Sequence, residues 1–365
     1  MKKIIAAGHI CLDITPVFPA SGPYAAVGEL LEPGKLIHMH GAEVSTGGSV
    51  ANTGLALKYL GADVTLMGKI GADAFGGMVT QSLAAHGVGG LLTDPASATS
   101  YSVVLAVPGV DRIFLHDPGA NDSFAEADIP DAALTDAALF HFGYPPLMKR
   151  MYENGGAELT ALFRRVKAHG VATSLDMAAV DPHSPAGQAD WETLLQNTLP
   201  YVDFFVPSFE ELCFMLDRPR YERLARHGGD MTARLDLEAE AMPLAEKAVA
   251  LGAKTVLLKC GTSGMVYRTT PADALAGTGL DPTVWADRRG LQPCFRADTV
   301  RSATGAGDAG IAAFLMAVLA GKDPADCAAL AAAEGACAVT AYDALGGLKP
   351  LDELEKRIKA GWETM

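Results

Sequence analysis

The chain has 365 residues, 49% of them hydrophobic and 20% charged, which supplies a sizeable core and excludes global disorder. Its formal net charge of -14 repels phosphate backbones, and with no local basic patch this argues against nucleic-acid and anionic-membrane binding. Cys11, Cys213, Cys260, Cys294, Cys327 and Cys337 form no CxxC pair and have no histidine at zinc-finger spacing, which argues against structural zinc and a disulfide framework.

The opening run Lys2-Lys3-Ile4-Ile5-Ala6-Ala7-Gly8 is broken by His9 and Asp13. It reads as a first buried strand, Lys3 to Ala7, rather than as a signal peptide. From Pro16 to His40 the chain is rich in Pro and Gly, with a short strand expected at Leu36-Ile37-His38-Met39. Helical spacing resumes at Ser49–Leu60, then a strand at Asp63–Met67 and a helix at Ala74–His86. Tyr101–Val107 and Arg112–His116 flank Pro108-Gly109-Val110-Asp111 as a hairpin.

From Leu139 onward strands and helices alternate. Strands are expected at Leu139–Phe142, Val171–Leu175, Phe204–Val206, Thr255–Lys259 and Met265–Arg268. Helices are expected at Glu158–Ala168, Trp191–Leu199, Glu210–Leu216 and Glu238–Leu251. Short apolar strands between amphipathic helices indicate a parallel sheet covered on both faces. Arg218–Asp236 and Pro271–Gln292 read as surface excursions, and helices at Ala306–Ala320, Ala325–Ala341 and Leu351–Trp362 close the chain. The longest apolar stretch, Ala309–Ala320, is too short to span a bilayer, so a cytoplasmic setting is expected.

The most informative stretch is Ser302-Ala303-Thr304-Gly305-Ala306-Gly307-Asp308-Ala309-Gly310, which runs straight into a long apolar helix. Unpaired N–H groups and the helix dipole suit such a turn to an anion, phosphate above all, with Asp308 in the first helical turn. The same residues also fit a plain tight turn whose Asp308 only caps the helix. Gly305-x-Gly307-x-x-Gly310 matches the dinucleotide fingerprint too, but the following strand of a βαβ unit is missing, and no Walker A pattern occurs.

The run Thr304-Gly305-Ala306-Gly307-Asp308 resembles the second signature of the PfkB (ribokinase-like) carbohydrate kinases. Gly47-Gly48-Ser49-Val50-Ala51-Asn52-Thr53-Gly54 resembles the first. The resemblance implies that Asp308 is the catalytic base and that Gly305, Ala306 and Gly307 form an anion hole for the transferred phosphoryl group. It places Asp13, Gly47, Gly48, Asn52 and Asn121 against the sugar, and Lys259, Gly261, Gly264 and Thr304 near the nucleotide. Glu211, in Val206-Pro207-Ser208-Phe209-Glu210-Glu211-Leu212, matches a glutamate that organises magnesium through water.

Three departures stand out. Ser302-Ala303-Thr304 replaces the usual Asp-Thr-Thr, which leaves the use of a monovalent cation such as potassium open. Ser208 replaces an Asn, and Gly310 replaces a Phe, which is expected to loosen the packing. In addition, Asp176-Met177-Ala178-Ala179-Val180 lacks the Asn and Arg that often follow this aspartate.

The resemblance, running from Ile4 to about Gly347, implies an α/β, three-layer ribokinase-like fold with a mostly parallel central sheet and a small β lid. One kinase domain over residues 1–365 is expected, with lid elements within 14–44 and 99–118. The function it implies is ATP- and Mg²⁺-dependent phosphorylation of a primary hydroxyl of a sugar or sugar derivative. A nucleoside kinase and a noncatalytic sugar or nucleotide sensor are the alternatives, and pairing of two copies through the lid is the expected assembly.

Overall fold

A computed structural model describes residues 2–19, 24, 26–110, 112–226, 228–233 and 235–365. Part of the expected lid segment (residues 20–23 and 25) and the turn residue Asp111 lie outside the described residues.

The central sheet has eight strands, named here in chain order. They are β1 (Lys3–Gly8), β4 (Asp63–Met67), β9 (Ala137–Gly143), β10 (Ala172–Asp176), β11 (Phe204–Phe205), β12 (Thr255–Lys259), β13 (Met265–Thr269) and β14 (Arg289–Gln292). Their order is β14-β13-β12-β11-β10-β9-β1-β4. All pairs from β4 to β12 are parallel, and β12-β13-β14 are antiparallel.

Continuous apolar strands need cover on both faces, because successive side chains point to opposite sides. In β1, Ile5 and Ala7 enter one core with Phe140, Phe142, Leu175 and Val256. Helices Ala157–Ala168, Trp191–Thr198, Phe209–Leu216 and Met242–Ala250 cover that face. Ile4 and Ala6 enter the other core with Leu66, Leu139, Phe204 and Leu257, beneath helices Ser49–Tyr59, Ala306–Leu319 and Pro324–Ala338. The fold is thus the expected three-layer α/β arrangement.

A second sheet of four strands carries β2 (Cys11–Pro16), β3 (Ala42–Gly47), β7 (Tyr101–Leu105) and β8 (Ile113–Asp117), in the order β3-β2-β7-β8. A parallel pair, β5 (Lys69–Gly71) and β6 (Leu92–Asp94), stands apart. The lid sheet therefore begins at Cys11 and reaches Gly47, beyond the predicted 14–44 on both sides. Its register aligns Ser45, Asp13, Ser102 and His116 in one row across four strands, so they share a face.

Several local expectations need correction. Residues 36–39 form no strand; the partner of β2 is β3, a few residues later. Arg218–Asp236 contains the helix Arg218–Ala225, whose N-terminus is capped by Asp217 accepting from Arg220 N. Pro271–Gln292 ends in the edge strand β14 and anchors itself through buried Trp285 against Phe204. Gly310 does not loosen the packing. A Cβ there would stand 3.0 Å from Ala331 O, so the glycine lets two helices approach closely.

Candidate active site

Helices Ser49–Tyr59 and Ala306–Leu319, which carry the two signatures, lie side by side over one face of the sheet. Gly305 is the N-cap of the second helix, at φ 74°, and a Cβ on it would collide with Ala344 Cβ at 2.5 Å. This left-handed geometry is open to glycine at little cost. In the first turn, Ala306 N donates to Ala303 O at 3.4 Å and Ala309 N to Gly305 O at 2.8 Å. The N–H groups of Gly307 and Asp308 have no such backbone partner among the described residues. They are the orphan donors of a helix start, where the dipole favours negative charge.

Asp308 is buried, and three side chains donate to its carboxylate. Thr53 Oγ1 reaches Oδ1 at 2.7 Å, Tyr144 Oη reaches Oδ2 at 2.8 Å, and Asn52 Nδ2 reaches Oδ2 at 3.4 Å. The sequence reading paired Asn52 and Asp308 only through family order; the fold joins them directly. Tyr144 and Thr53 were missed. Thr53 follows Asn52 within the first signature, whereas nothing near Gly143-Tyr144-Pro145 marks the tyrosine. Tyr144 sits at φ 66°, an uncommon conformation for a bulky residue. Burial, and then Asp308 and Asp176, push its hydroxyl pKa well above the usual value, so it stays a donor.

Below the turn lies a buried ion pair. Asp176 ends β10, Lys259 ends β12, and Lys259 Nζ meets Asp176 Oδ1 at 2.8 Å. Lys259 also flanks the glycine turn: its Nζ is 3.9 Å from where a Cβ on Gly307 would stand. Burial pushes the Asp176 carboxyl up, against the pull of Lys259. Burial also opposes the Lys259 charge, but Asp176 and Glu211 outweigh it and hold the amine above its usual range. Sequence order suggested Lys259; Asp176 was seen only for the residues missing after it.

Ser208 explains one departure. Its Oγ accepts from Glu211 N at 3.3 Å, and its N–H donates to Glu211 Oε2 at 2.7 Å, closing a capping box. The cap is therefore preserved with serine, and among the described residues only Oε2 of Glu211 is committed to it. Ser302 Oγ accepts from Thr304 N at 3.1 Å and contacts Thr304 Oγ1 at 3.0 Å, which orders the approach to Gly305. Thr304 Oγ1 also accepts from Arg112 Nη1, a residue beside the lid strand β8. Gly261 and Gly264 bracket the single helical turn that joins β12 to β13.

Asp13 lies on β2, in the lid sheet, rather than at the end of a central strand. Gly47 is beside it: a Cβ there would be 2.2 Å from Asp13 Oδ2. Burial raises the Asp13 carboxyl, and hydrogen bonds from Cys11 and Ser102 work against that rise. Asn121 is turned to the backbone instead of outward. Its amide accepts from Ile10 N at 3.1 Å and donates to Ile10 O at 2.9 Å and Pro118 O at 3.0 Å, so it staples two loops. A cavity of about 1210 Å³ runs between lid and main body, lined by Asp13, Asn52, Arg112, Phe114, Thr304 and Tyr342 among others.

A doubly covered sheet, a glycine turn presenting a carboxylate and free N–H donors, and a β lid above the cleft together define a small-molecule phosphotransferase of ribokinase-like fold. Residues 1–349 match the pattern of the pfkB family carbohydrate kinases, and the chain belongs to that family. Fructokinase-2 of Zea mays is 27% identical over 276 residues, 74% of this chain and 70% of its own length. The ribokinase of Arabidopsis thaliana, solved with ribose and ATP, superposes with a TM-score of 0.71 at 20% identity over 98% of each chain. A fructokinase of Xylella fastidiosa with bound ATP gives the same TM-score at 22% identity, again over 98% of each.

Proposed function

We propose that this carbohydrate kinase transfers the γ-phosphoryl group of ATP to a primary hydroxyl of a sugar or sugar derivative, with Asp308 as the base. The observation that carries the reading is the seating of Asp308. Its carboxylate is held in the first turn of a helix whose unpartnered N–H groups, at Gly307 and Asp308 itself, stand beside it.

The chemistry follows from that placement. An acceptor hydroxyl entering the cavity beneath Asp13 and Asn52 meets the Asp308 carboxylate, which takes its proton as the oxygen attacks phosphorus. The Gly305–Asp308 turn and the Lys259 ammonium face the charge that develops on the phosphoryl oxygens. Arg112, anchored on Thr304, ties the lid to the turn and keeps water from acting as the acceptor.

Among the described residues no cluster of three His, Cys, Asp or Glu side chains is arranged to hold a metal ion. Magnesium generally keeps several waters and binds through substrate phosphates rather than in a dedicated protein cage. When bound, Mg²⁺ supplies neutralisation of phosphate charge, and Glu211 is the residue that would hold it, through water.

The test is ADP release from Mg·ATP across a panel of pentoses, hexoses, sugar acids and nucleosides. Acceptor-dependent release is expected in the wild type and its near-complete loss in Asp308→Asn, with ATP binding retained. Turnover of that variant at the wild-type rate would remove Asp308 from the mechanism.

A further inference from the structure

The cleft between lid and main body is larger than one sugar needs. Its volume of about 1210 Å³ exceeds the roughly 300–1,000 Å³ of ordinary ligand pockets. The nucleotide does not account for it: of the residues expected near ATP, Thr304 lines the cleft, while Lys259, Gly261 and Gly264 are not among its lining residues.

Asn52 marks the inner end, where its amide meets Asp308. The body wall then follows the helix Ser49–Tyr59 to Lys58, six residues on and about 9 Å along the axis at 1.5 Å per residue. Residues 300–304 and 342–346 continue that wall. Tyr59 Oη donates to Leu348 O at 2.9 Å, which fastens the helix end to the second of these segments. Arg301 is anchored through its backbone, N to Val339 O at 2.8 Å, and its guanidinium lies over the Tyr342 ring at 5.5 Å. Lys58 and Arg301 therefore approach the same loop.

The carboxylates that line the cleft do not answer these two charges. Asp343 Oδ1 accepts from Leu345 N at 2.8 Å and Gly346 N at 2.6 Å, so it is turned to its own loop. Asp13 and Glu43 belong to the lid strands β2 and β3, and Asp13 accepts from Cys11 at 3.3 Å. Neither Lys58 nor Arg301 makes an ion pair among the described residues. Arg112, on Thr304, adds a third cation to the cleft nearer the base. In a chain of formal net charge -14, such a wall concentrates anions locally.

The wall is also apolar. Tyr59, Val300 and Tyr342 all stand exposed on it, and exposed apolar surface gathered in one cleft marks a place that a ligand covers. A guanidinium fork matches two oxygens of a carboxylate or phosphate, and an ammonium adds a point charge beside it.

We propose that Lys58 and Arg301 form an anion subsite at the outer end of the cleft, so that the acceptor carries a carboxylate or phosphate at the end remote from the hydroxyl it presents to Asp308. The inference rests on the kinase reading above and assigns its substrate class.

The experiment pairs each anionic acceptor with a neutral counterpart, D-gluconate with D-glucitol and D-fructose 6-phosphate with D-fructose. Wild-type protein is expected to use one anion with a kcat/KM at least tenfold above that of its counterpart. A preference in the first pair identifies a carboxylate, and in the second a phosphate. Lys58→Gln combined with Arg301→Gln, both on exposed side chains, is expected to erase the preference by raising the KM of the anion about tenfold with kcat largely kept. Without ATP, saturation with that anion is expected to raise the Tm of Asp308→Asn protein, and not that of the same protein carrying both glutamines. Equal or better use of the neutral counterpart in both pairs, a preference undiminished in the double variant, or equal Tm shifts would each overturn the subsite and leave the kinase standing. Absence of acceptor-dependent ADP release from wild-type protein across these compounds and the wider panel overturns the kinase reading and this inference with it.

Discussion

The hydroxyl of Tyr144 donates to Asp308 Oδ2 at 2.8 Å while Thr53 Oγ1 holds Oδ1 at 2.7 Å, so the carboxylate is gripped from both sides. A hydrogen bond to a charged group contributes about 1.5–3 kcal/mol. Tyr144→Phe is therefore expected to lower kcat on the order of tenfold with little change in the ATP KM. Because Thr53 holds the same carboxylate, Thr53→Val combined with Tyr144→Phe should depart from additivity. Strict additivity in a kinetic double-mutant cycle would show that the two donors act independently of Asp308.

Arg112, beside lid strand β8, donates to Thr304, next to the Gly305–Asp308 turn. Arg112→Ala is expected to lower kcat/KM for the acceptor by roughly ten- to a hundredfold, the worth of one charge-assisted hydrogen bond. The ratio of ADP released to acceptor phosphorylated should rise, since a lid that no longer seats admits water. A ratio that stays at one in the variant would separate Arg112 from closure.

The Asp176–Lys259 pair is buried, and loss of one partner strands the other. Asp176→Asn is expected to destabilise the protein by on the order of 3 kcal/mol. Phosphates placed at the turn would answer the stranded ammonium. Mg·ATP should therefore raise the Tm of the variant by more than it raises that of the wild type. Equal shifts in a thermal melt would place Lys259 away from the nucleotide.

Glu334 is buried in helix Pro324–Ala338, where its carboxylate accepts from Lys349 N at 3.1 and 3.2 Å. Burial nevertheless pushes its pKa up to about 8. An acid whose folded value is raised holds its proton more tightly folded than unfolded. Its stabilisation is complete at low pH and is lost as pH climbs through about 8. Buried His9, His116 and His141, all lowered, act in the opposite sense, but only up to the ordinary histidine range near pH 6.5. Tm is therefore expected to fall between about pH 6.5 and 8.5; Asp176, also raised by burial, acts in the same sense, and Glu334→Gln should remove its own share and make the fall shallower. An identical slope in the variant would assign the pH dependence elsewhere.

Much of the main sheet was legible because its signals are local. The strands from Leu139 to Arg268 are short apolar runs set between amphipathic helices, and their positions hold to within a residue or two. The lid was legible only in part. The hairpin β7-β8 announced itself through Pro108-Gly109, whereas β2 and β3 are separated by residues 17–41 and have no two-residue turn to mark their pairing. Asp13 was singled out by motif order, yet its place in a lid row with Ser45, Ser102 and His116 depends on the register of strands up to a hundred residues apart. Asn121 shows the opposite failure: a polar loop residue at a family position turned out to spend its amide on Ile10 and Pro118.

By itself the sequence determined the layer architecture and the two glycine motifs, because hydrophobic period and glycine spacing are written residue by residue along the chain. Only the tertiary structure decided which side chains surround Asp308. Asn52 and Thr53 stand about 255 residues before it and Tyr144 164 residues before it. They meet because two helices on one face of the sheet pack side by side, and because the chain turns left-handed at the end of β9. Contacts of that separation are set by packing, which no local pattern records.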